Sequence, residues 1–340
     1  MNYGLIGEHL THSYSKIIHE LFLPDYKYEI HDLPPEDLGQ FLREKNFKGI
    51  NVTIPYKKDV IPFLNMLDFS AKEVGAVNTI VNKNGKLIGS NTDYYGFEYV
   101  LKKNKIKVYN KKILILGNGG ASNAVEAVLK KNGAKQILKT SRFKKINTFL
   151  LEDIYQHHTD CEIIINATPC GMYPHVSSSP INLSYFKKCN AVVDCIYNPL
   201  NTLFLQQAKE LNIPTIANGL LMLIAQAKKA IEIFKEITIV DAEIDRIYKQ
   251  LLNQTLNLIT FDLEKDKINV LAKYSHKNIL DIHTEDWLKK VLKKNQIINL
   301  SPSTFSKYKL VLLSNGYISD KKKINDILND YHSFIESCTS

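Results

Sequence analysis

Apolar and polar residues alternate along the chain in short blocks whose period changes from element to element. Between Asn2 and Asn91, four short apolar runs (Tyr3 to Ile6, Tyr26 to Ile30, Gly49 to Ile54 and Asn78 to Val81) are separated by helical patterns, which reads as an α/β unit. From Leu101 to Asn110 the chain turns lysine-rich and weakly patterned. Lys112 then leads into the continuous apolar run Ile113 to Leu116, so a new domain starts near there. The next hundred residues suggest strands at 113 to 116, 136 to 140, 162 to 166, 191 to 194 and 213 to 216. Runs such as EIIIN and AVVDC carry no polar face, as strands buried on both sides of a parallel sheet require. Between the first two strands, apolar residues at 121, 124, 125, 128 and 129 fall on one helix face, and Asn132-Gly133 can end that helix. The result is a βαβ unit. From Gly219 to about Asn253 the pattern is helical, first apolar (GLLMLIAQA) and then amphipathic, and these helices are expected to pack back on the first domain. Residues 254 to 340 suggest strand, strand, helix, strand and helix, with Thr284 as N-cap of a helix from Glu285 to Lys294.

Composition narrows the class. The longest apolar stretch, Leu220 to Ala227, is interrupted by Gln226 and falls far short of the ~20 residues a membrane span needs, so no transmembrane helix is expected. The N-terminus lacks the basic start and long apolar region of a secretory signal, and the five cysteines have no metal-type spacing. A cytoplasmic protein without a metal site is expected. The net charge of +9 invites a nucleic-acid reading, but Arg43, Arg142 and Arg246 are the three arginines among 44 basic residues. Phosphate and base readers favour the bidentate arginine fork, so the excess lysine reads as solvated surface.

Gly117-Asn118-Gly119-Gly120-Ala121-Ser122 follows a buried strand and opens an amphipathic helix, which is the context a dinucleotide pyrophosphate needs: close backbone approach and helix N-terminal amides. The third glycine of the usual motif is Ser122. No acidic residue occurs from Ala127 to Leu151, where an NAD site carries one for the ribose hydroxyls; the second strand ends instead in KTSRFKK (Lys139 to Lys145). A ribose 2′-phosphate suits that turn, with Arg142 stacking or pairing and Lys144 or Lys145 adding charge, so NADP(H) is the expected cofactor. Hydride delivery to a ketone leaves an oxygen that wants a cation and a proton donor. Lys57, fixed by Pro55 in NVTIPYK, is the best candidate, and Asp93 in NTDYYG a partner that would orient its ammonium.

At these residues the chain resembles the shikimate dehydrogenase family over roughly residues 2 to 250. The motifs stand in family order: HSYS at 12 to 15, NVTIPYK at 51 to 57, GAVNT at 75 to 79, NTD at 91 to 93, GNGGAS at 117 to 122, NATPCGM at 166 to 172, DCIYNP at 194 to 199 and GLLMLIAQA at 219 to 227. The resemblance implies NADPH-dependent reduction of 3-dehydroshikimate to shikimate in aromatic amino-acid (chorismate) biosynthesis. It implies Ser13, Ser15 and Tyr197 near the substrate carboxylate, Thr53, Asn78 and Gln226 on ring hydroxyls, and Lys57 with Asp93 as the catalytic pair. For the cofactor it implies Gly117, Asn118, Gly119, Gly120 and Ala121 at the pyrophosphate. Thr140, Ser141, Arg142, Phe143, Lys144 and Lys145 would take the adenosine end, and Thr168, Cys195, Gly219 and Met222 the nicotinamide end. Serines also cap helices, and Asn78 and Gln226 also suit buried backbone groups, so both uses stay open.

The expected fold class is therefore α/β: an N-terminal α/β substrate domain (1–100 plus 219–253), a Rossmann-type dinucleotide-binding domain (101–218) and an additional small C-terminal α/β segment (254–340). The expected partner is a small-molecule substrate, without nucleic acid or membrane, in a monomer or homodimer. Lys16 replaces the family's usual proline, which leaves that helix start less fixed, and Tyr94 and Tyr95 after Asp93 suggest a narrower mouth to the site. Gly316 is the single glycine of residues 254 to 340, so the phosphate loop of a fused kinase is missing there, and an accessory domain for self-association or regulation is expected. A quinate/shikimate dehydrogenase is the alternative among enzymes; a catalytically retired metabolite sensor is the alternative outside them.

Overall fold

The computed structural model describes residues 1–10, 14–143, 146–172, 178–255, 258–261, 278–280 and 296–300. By internal contacts the chain divides into one unit of Met1–Pro169, Pro180–Tyr197 and Gln207–Tyr248, and another of Cys170–Ser179, Asn198–Gln206 and Lys249–Ser340.

The first unit begins with β1 (Tyr3–Gly7), α1 (Tyr14–Phe22), β2 (Glu29–Asp32), α2 (Leu38–Glu44), β3 (Gly49–Val52), β4 (Met66–Leu67), α3 (Phe69–Val74), β5 (Thr79–Lys83), β6 (Lys86–Ser90) and α4 (Thr92–Lys103). Its six-stranded sheet has the order β2-β1-β3-β5-β6-β4. β1 is parallel to both neighbours, whereas β5 runs antiparallel to β3 and β6. The core it covers includes Ile6, Leu38, Leu42, Ile50, Val52, Ile80 and Leu87. Two strands, β4 and β6, were not expected from the pattern. β6 follows a two-residue turn in which Asn84 (φ 52°) and Gly85 (φ 80°) both take the left-handed region, pairing Lys83 with Lys86. The expected strand from Tyr26 starts instead at Glu29, because Tyr26 and Tyr28 are drawn into a stack with His19 of α1. β3 stops at Val52, short of the expected Ile54; the Thr53 amide bonds the Ile6 carbonyl, and the chain turns through a cis Ile54–Pro55 bond.

The chain continues through β7 (Lys112–Leu116), α5 (Gly120–Lys131), β8 (Gln136–Lys139), α6 (Leu151–His157), β9 (Ile163–Asn166), β10 (Ala191–Asp194), α7 (Leu203–Glu210), β11 (Thr215–Ala217), α8 (Leu220–Lys235) and α9 (Ala242–Thr255). The second sheet is parallel throughout, in the order β11-β10-β9-β7-β8. Ile113, Leu114, Ile115, Ile164 and Val192 are all fully buried, which is why these strands read as unbroken apolar runs. From β7 the chain crosses to β8 on one side and then to β9 on the other. The carboxyl ends of β7 and β9 therefore face a crevice at a topological switch point, where ligands bind open α/β sheets. The helical stretch from Gly219 is broken at Glu236, whose left-handed backbone (φ 54°) ends α8 before α9 begins.

The other unit contains β12 (Leu258–Phe261), β13 (Asn278–Leu280) and β14 (Gln296–Leu300), parallel in the order β12-β14-β13. The helix expected from Glu285 to Lys294, with its cap Thr284, lies outside the described residues, as do Ser13, Lys144 and Lys145. Among the described residues no helix is long and apolar enough to cross a membrane.

Candidate active site

Several elements converge on one cavity of about 360 Å³ in the first unit. β3 delivers Asn51, Thr53 and, one turn on, Lys57, whose carbonyl accepts from the Val77 amide at 2.8 Å. The start of α4 delivers Asp93. α8 delivers Met222 and, four residues later on the same face, Gln226. Ser15 enters from α1 and Tyr197 from the loop after β10.

The Lys57 ammonium donates to Asp93 Oδ2 at 2.6 Å, with 21% and 8% of their side chains exposed. So shielded from water, the pair holds one geometry more firmly than a surface ion pair does. Asp93 sits in the first turn of α4, where the helix dipole favours its negative charge. That turn is held from below by Asn78, whose Oδ1 accepts from the Thr92 amide (2.7 Å), the Thr92 hydroxyl (3.1 Å) and the Thr79 hydroxyl (3.0 Å). Asn51 extends the network, donating to Thr79 Oγ1 and the Asn78 carbonyl while accepting from the Tyr28 hydroxyl at 2.8 Å.

Tight packing sets the helix positions. At Gly96 a Cβ would lie 2.7 Å from the Met222 carbonyl oxygen and from Gln226 Cγ, so the glycine lets α4 lie directly on α8. At Gly219 a Cβ would lie 2.1 Å from the Cys195 carbonyl oxygen, which fixes the start of α8 against the end of β10. Burial and the neighbouring Asp194 and Asp93 push the Cys195 thiol upward, so it lines the cavity as a neutral group. Burial likewise raises the Tyr197 phenol, whose ring meets Tyr14 edge-on at 5.5 Å.

The glycine turn before α5 adjoins this cavity. Gly117 takes φ 109°, and a Cβ there would lie 2.9 Å from Thr168 Cγ2; at Gly119 a Cβ would meet nothing within 4 Å. The N-cap of α5, Gly119, has no side-chain cap, which leaves the first amides of a twelve-residue helix free to meet an anion. These features fit a pyrophosphate. The nearest atom to a Cβ at Gly120 would be Lys57 Cδ, at 3.8 Å, so the glycine turn reaches the ion pair. Thr140 Oγ1 accepts from the Gly117 amide at 3.1 Å and joins the end of β8 to the turn. Asn166, bonded to Asp194 at 3.0 Å, accepts from the Thr168 amide and hydroxyl and so positions the loop after β9. Arg142 and Phe143 are exposed beyond β8.

The cavity thus gathers Ser15, Thr53, Lys57, Asn78, Asp93, Tyr197 and Gln226 with Ala121, Cys195, Gly219 and Met222. Gly117, Asn118, Gly119, Gly120, Thr140, Ser141, Arg142, Phe143 and Thr168 are not part of its wall; they follow β7, β8 and β9 at the carboxyl edge of the second sheet. Tyr94 and Tyr95 do not narrow the cavity as expected. They point around α4 away from Asp93, Tyr94 edge-on to Phe69 and near the Lys131 ammonium, Tyr95 beneath that of Lys229 at 4.9 Å. Lys16 anchors α1, donating to the Tyr28 carbonyl at 2.8 Å. Sequence reasoning missed His19, Asn51 and Thr92 in the wall, although His19 stands four residues after Ser15 on the same helix face.

Comparison with known proteins gives the same outline. Residues 5–80 match the family model described as shikimate dehydrogenase substrate binding domain. A shikimate dehydrogenase (NADP(+)) from Clostridium beijerinckii is 41% identical over 248 residues, 69% of this chain and 92% of that protein. One from Methanococcus maripaludis is 38% identical over 252 residues, 68% and 90% of the two. Among solved structures, a chorismate mutase/shikimate 5-dehydrogenase fusion protein from Clostridium acetobutylicum superposes with a TM-score of 0.68 at 37% identity, covering 73% of this chain and 96% of that one. The Thermus thermophilus shikimate 5-dehydrogenase in complex with NADP(H) and shikimate superposes with a TM-score of 0.66 at 28% identity, covering 74% and 99%.

Proposed function

We propose, given that this chain belongs to the shikimate dehydrogenase family, that the cavity beside the glycine turn is where it carries out the NADPH-dependent reduction of 3-dehydroshikimate to shikimate. One observation supports the placement above the others: the 2.6 Å Lys57–Asp93 pair stands in a cavity whose wall also carries the hydroxyls of Ser15, Thr53 and Tyr197 and the amides of Asn78 and Gln226, beside the start of a helix whose first amides are free to meet an anion.

The nicotinamide, when bound, supplies the hydride. The chain's own residues do the rest. Ser15 and Tyr197 hold the carboxylate end of the substrate, together with Ser13. Thr53, Asn78 and Gln226 pair with ring hydroxyls, and a ligand lacking those groups would leave buried polar atoms unpaired. As the carbonyl oxygen gains negative charge, the Lys57 ammonium stabilises it and transfers a proton to it. Asp93 positions that ammonium; in the reverse direction Lys57 takes the proton back. Gly117 to Ala121 face the pyrophosphate, Thr140 to Lys145 the adenosine 2′-phosphate, and Thr168, Cys195, Gly219 and Met222 the nicotinamide end. In this reading residues 1–100 with 219–253 form the substrate domain, 101–218 the NADP domain, and 254–340 an accessory domain.

The test is NADPH oxidation with 3-dehydroshikimate and with 3-dehydroquinate, for wild type and Lys57→Ala. Turnover of 3-dehydroshikimate that falls about 10²- to 10⁴-fold in the variant is expected, the range for loss of a positioned proton donor. Equal rates for the two proteins would remove Lys57 from the reaction, and a wild type inert towards 3-dehydroshikimate would remove the reading itself.

A further inference from the structure

His19 is a polar side chain in the cavity wall for which nothing above has a use. It lies on α1 four residues after Ser15, so both face the same space. Its ring is 2% exposed and stacked on Tyr28, with centroids 4.0 Å apart and planes 21° from parallel; Tyr26 stacks behind it at 5.7 Å. Nδ1 is sealed among these groups with no hydrogen-bond partner. Nε2 has no protein partner among the described residues and is not sealed off. A buried imidazole with neither nitrogen paired is costly, and buried polar groups are as a rule satisfied. The cavity is where this ring can find its partner.

We propose that His19 contacts the substrate: its Nε2–H donates a hydrogen bond to a ring hydroxyl oxygen of the polyhydroxylated ligand. The assignment deepens the functional reading given above and rests on it. Chemistry selects the hydroxyl. Burial lowers the imidazole to about 3, so the ring is neutral at any working pH and contributes direction without charge, unlike Lys57. Orphaned buried N–H groups are rarer than orphaned acceptors, which places the proton on Nε2, where a partner can reach it, rather than on enclosed Nδ1. Two of the adjacent polar groups are already committed: Tyr28 donates to Asn51, and Asn51 donates to Thr79 Oγ1 and to the Asn78 carbonyl. His19 therefore offers this side of the cavity an uncommitted donor.

Two variants and one spectrum test it. His19→Phe keeps a ring on Tyr28 but removes the donor; His19→Gln keeps an N–H at similar reach. The expected result is a KM for 3-dehydroshikimate raised about 10-fold in His19→Phe, with kcat within about threefold, the KM for NADPH unchanged, and partial recovery in His19→Gln. In ¹⁵N-labelled wild type, the Nε2 resonance of His19 is expected to shift when shikimate is added. A structural role alone would lower the melting temperature of His19→Phe and leave its KM where it was. If His19→Phe does not fold, the His19→Gln kinetics and the wild-type spectrum decide. Turnover of 3-dehydroshikimate with an unmoved KM and an unmoved Nε2 resonance would overturn the role of His19 and leave the functional reading intact. A wild type that neither turns over 3-dehydroshikimate nor binds shikimate would overturn both.

Discussion

At the residue scale, most of the polar side chains that line the cavity were legible because they sit in short contiguous motifs, where each polar residue is conspicuous among apolar neighbours. Asn78, for instance, stands between Val77 and Thr79 at a strand end, and its Oδ1 holds the turn that presents Asp93. His19 was not legible, since one histidine on an apolar, aromatic helix face has the pattern of plain core; its significance lies in the pairing its nitrogens lack, which sequence does not record. Its burial also has a consequence for stability. The folded state holds the ring neutral down to about pH 3, whereas the unfolded chain protonates it near 6.5. Below pH 6.5 the unfolded chain therefore binds the extra proton, and stability is lost progressively as pH falls through that window. Between pH 7 and pH 5 the loss from this group is about 2 kcal/mol. Urea denaturation at the two pH values should show that difference in wild type and a visibly smaller one in His19→Phe; identical differences would mean the ring titrates normally. Arg142, proposed above for the adenosine 2′-phosphate, is exposed beyond β8, among the described residues without an ion-pair partner. Arg142→Gln is expected to raise the KM for NADPH about 10-fold or more while changing that for NADH little, as loss of a charge-assisted pair with the 2′-phosphate requires. An equal rise for both cofactors would assign Arg142 to the adenine ring instead.

At the element scale, strands covered on both faces announce themselves as apolar runs, and β7, β9 and β10 were found to within a residue. β4 has two residues, too few for any period, and β6 (KLIGS) alternates weakly. The Asn84-Gly85 pair was the available signal for β6, because two consecutive positive φ angles suit a tight hairpin. What sequence does not reveal is how closely two helices approach. The α4–α8 contact depends on Gly96, and it sets the distance between Asp93 at the start of α4 and Gln226 on α8. Gly96→Ala places a Cβ 2.7 Å from the Met222 carbonyl oxygen, backbone that cannot swing aside, so the helices must separate. Destabilisation of about 1–3 kcal/mol is expected from the overpacking. Because Asp93 and Gln226 reach the cavity from these two different helices, kcat/KM should fall as well, about 10-fold or more. Thermal melts and steady-state kinetics check the two effects. A variant as stable as wild type would mean that α4 can shift without cost.

At the scale of the whole molecule, charge proved the least informative property: +9 spread over lysines says nothing about where a ligand sits. Length was more informative. The relatives match over 90% or more of their own length but about 70% of this chain, so a whole enzyme of the family is accommodated in the matched part. The cavity agrees, since its wall runs from Leu5 to Ala227. The start of α9, as far as Tyr248, belongs with that part: Ile244 and Ile247 are buried, Lys103 of α4 pairs with Asp245 at 2.6 Å, and Arg246 donates to the Leu21 carbonyl at 2.8 Å. A cut inside α9 would open that core, whereas a cut after Thr255 removes β12 to β14 and leaves each of these contacts in place. Removal of residues 256–340 is therefore expected to leave kcat and both KM values within about threefold of the full chain, the scale of change when no group touching substrate or cofactor is lost. If the segment serves self-association, light scattering of the two proteins will differ in mass by more than the residues removed. A shortened chain that keeps its circular dichroism and its melting transition yet loses turnover would show that the segment completes the active site, and would turn an accessory domain into part of the enzyme.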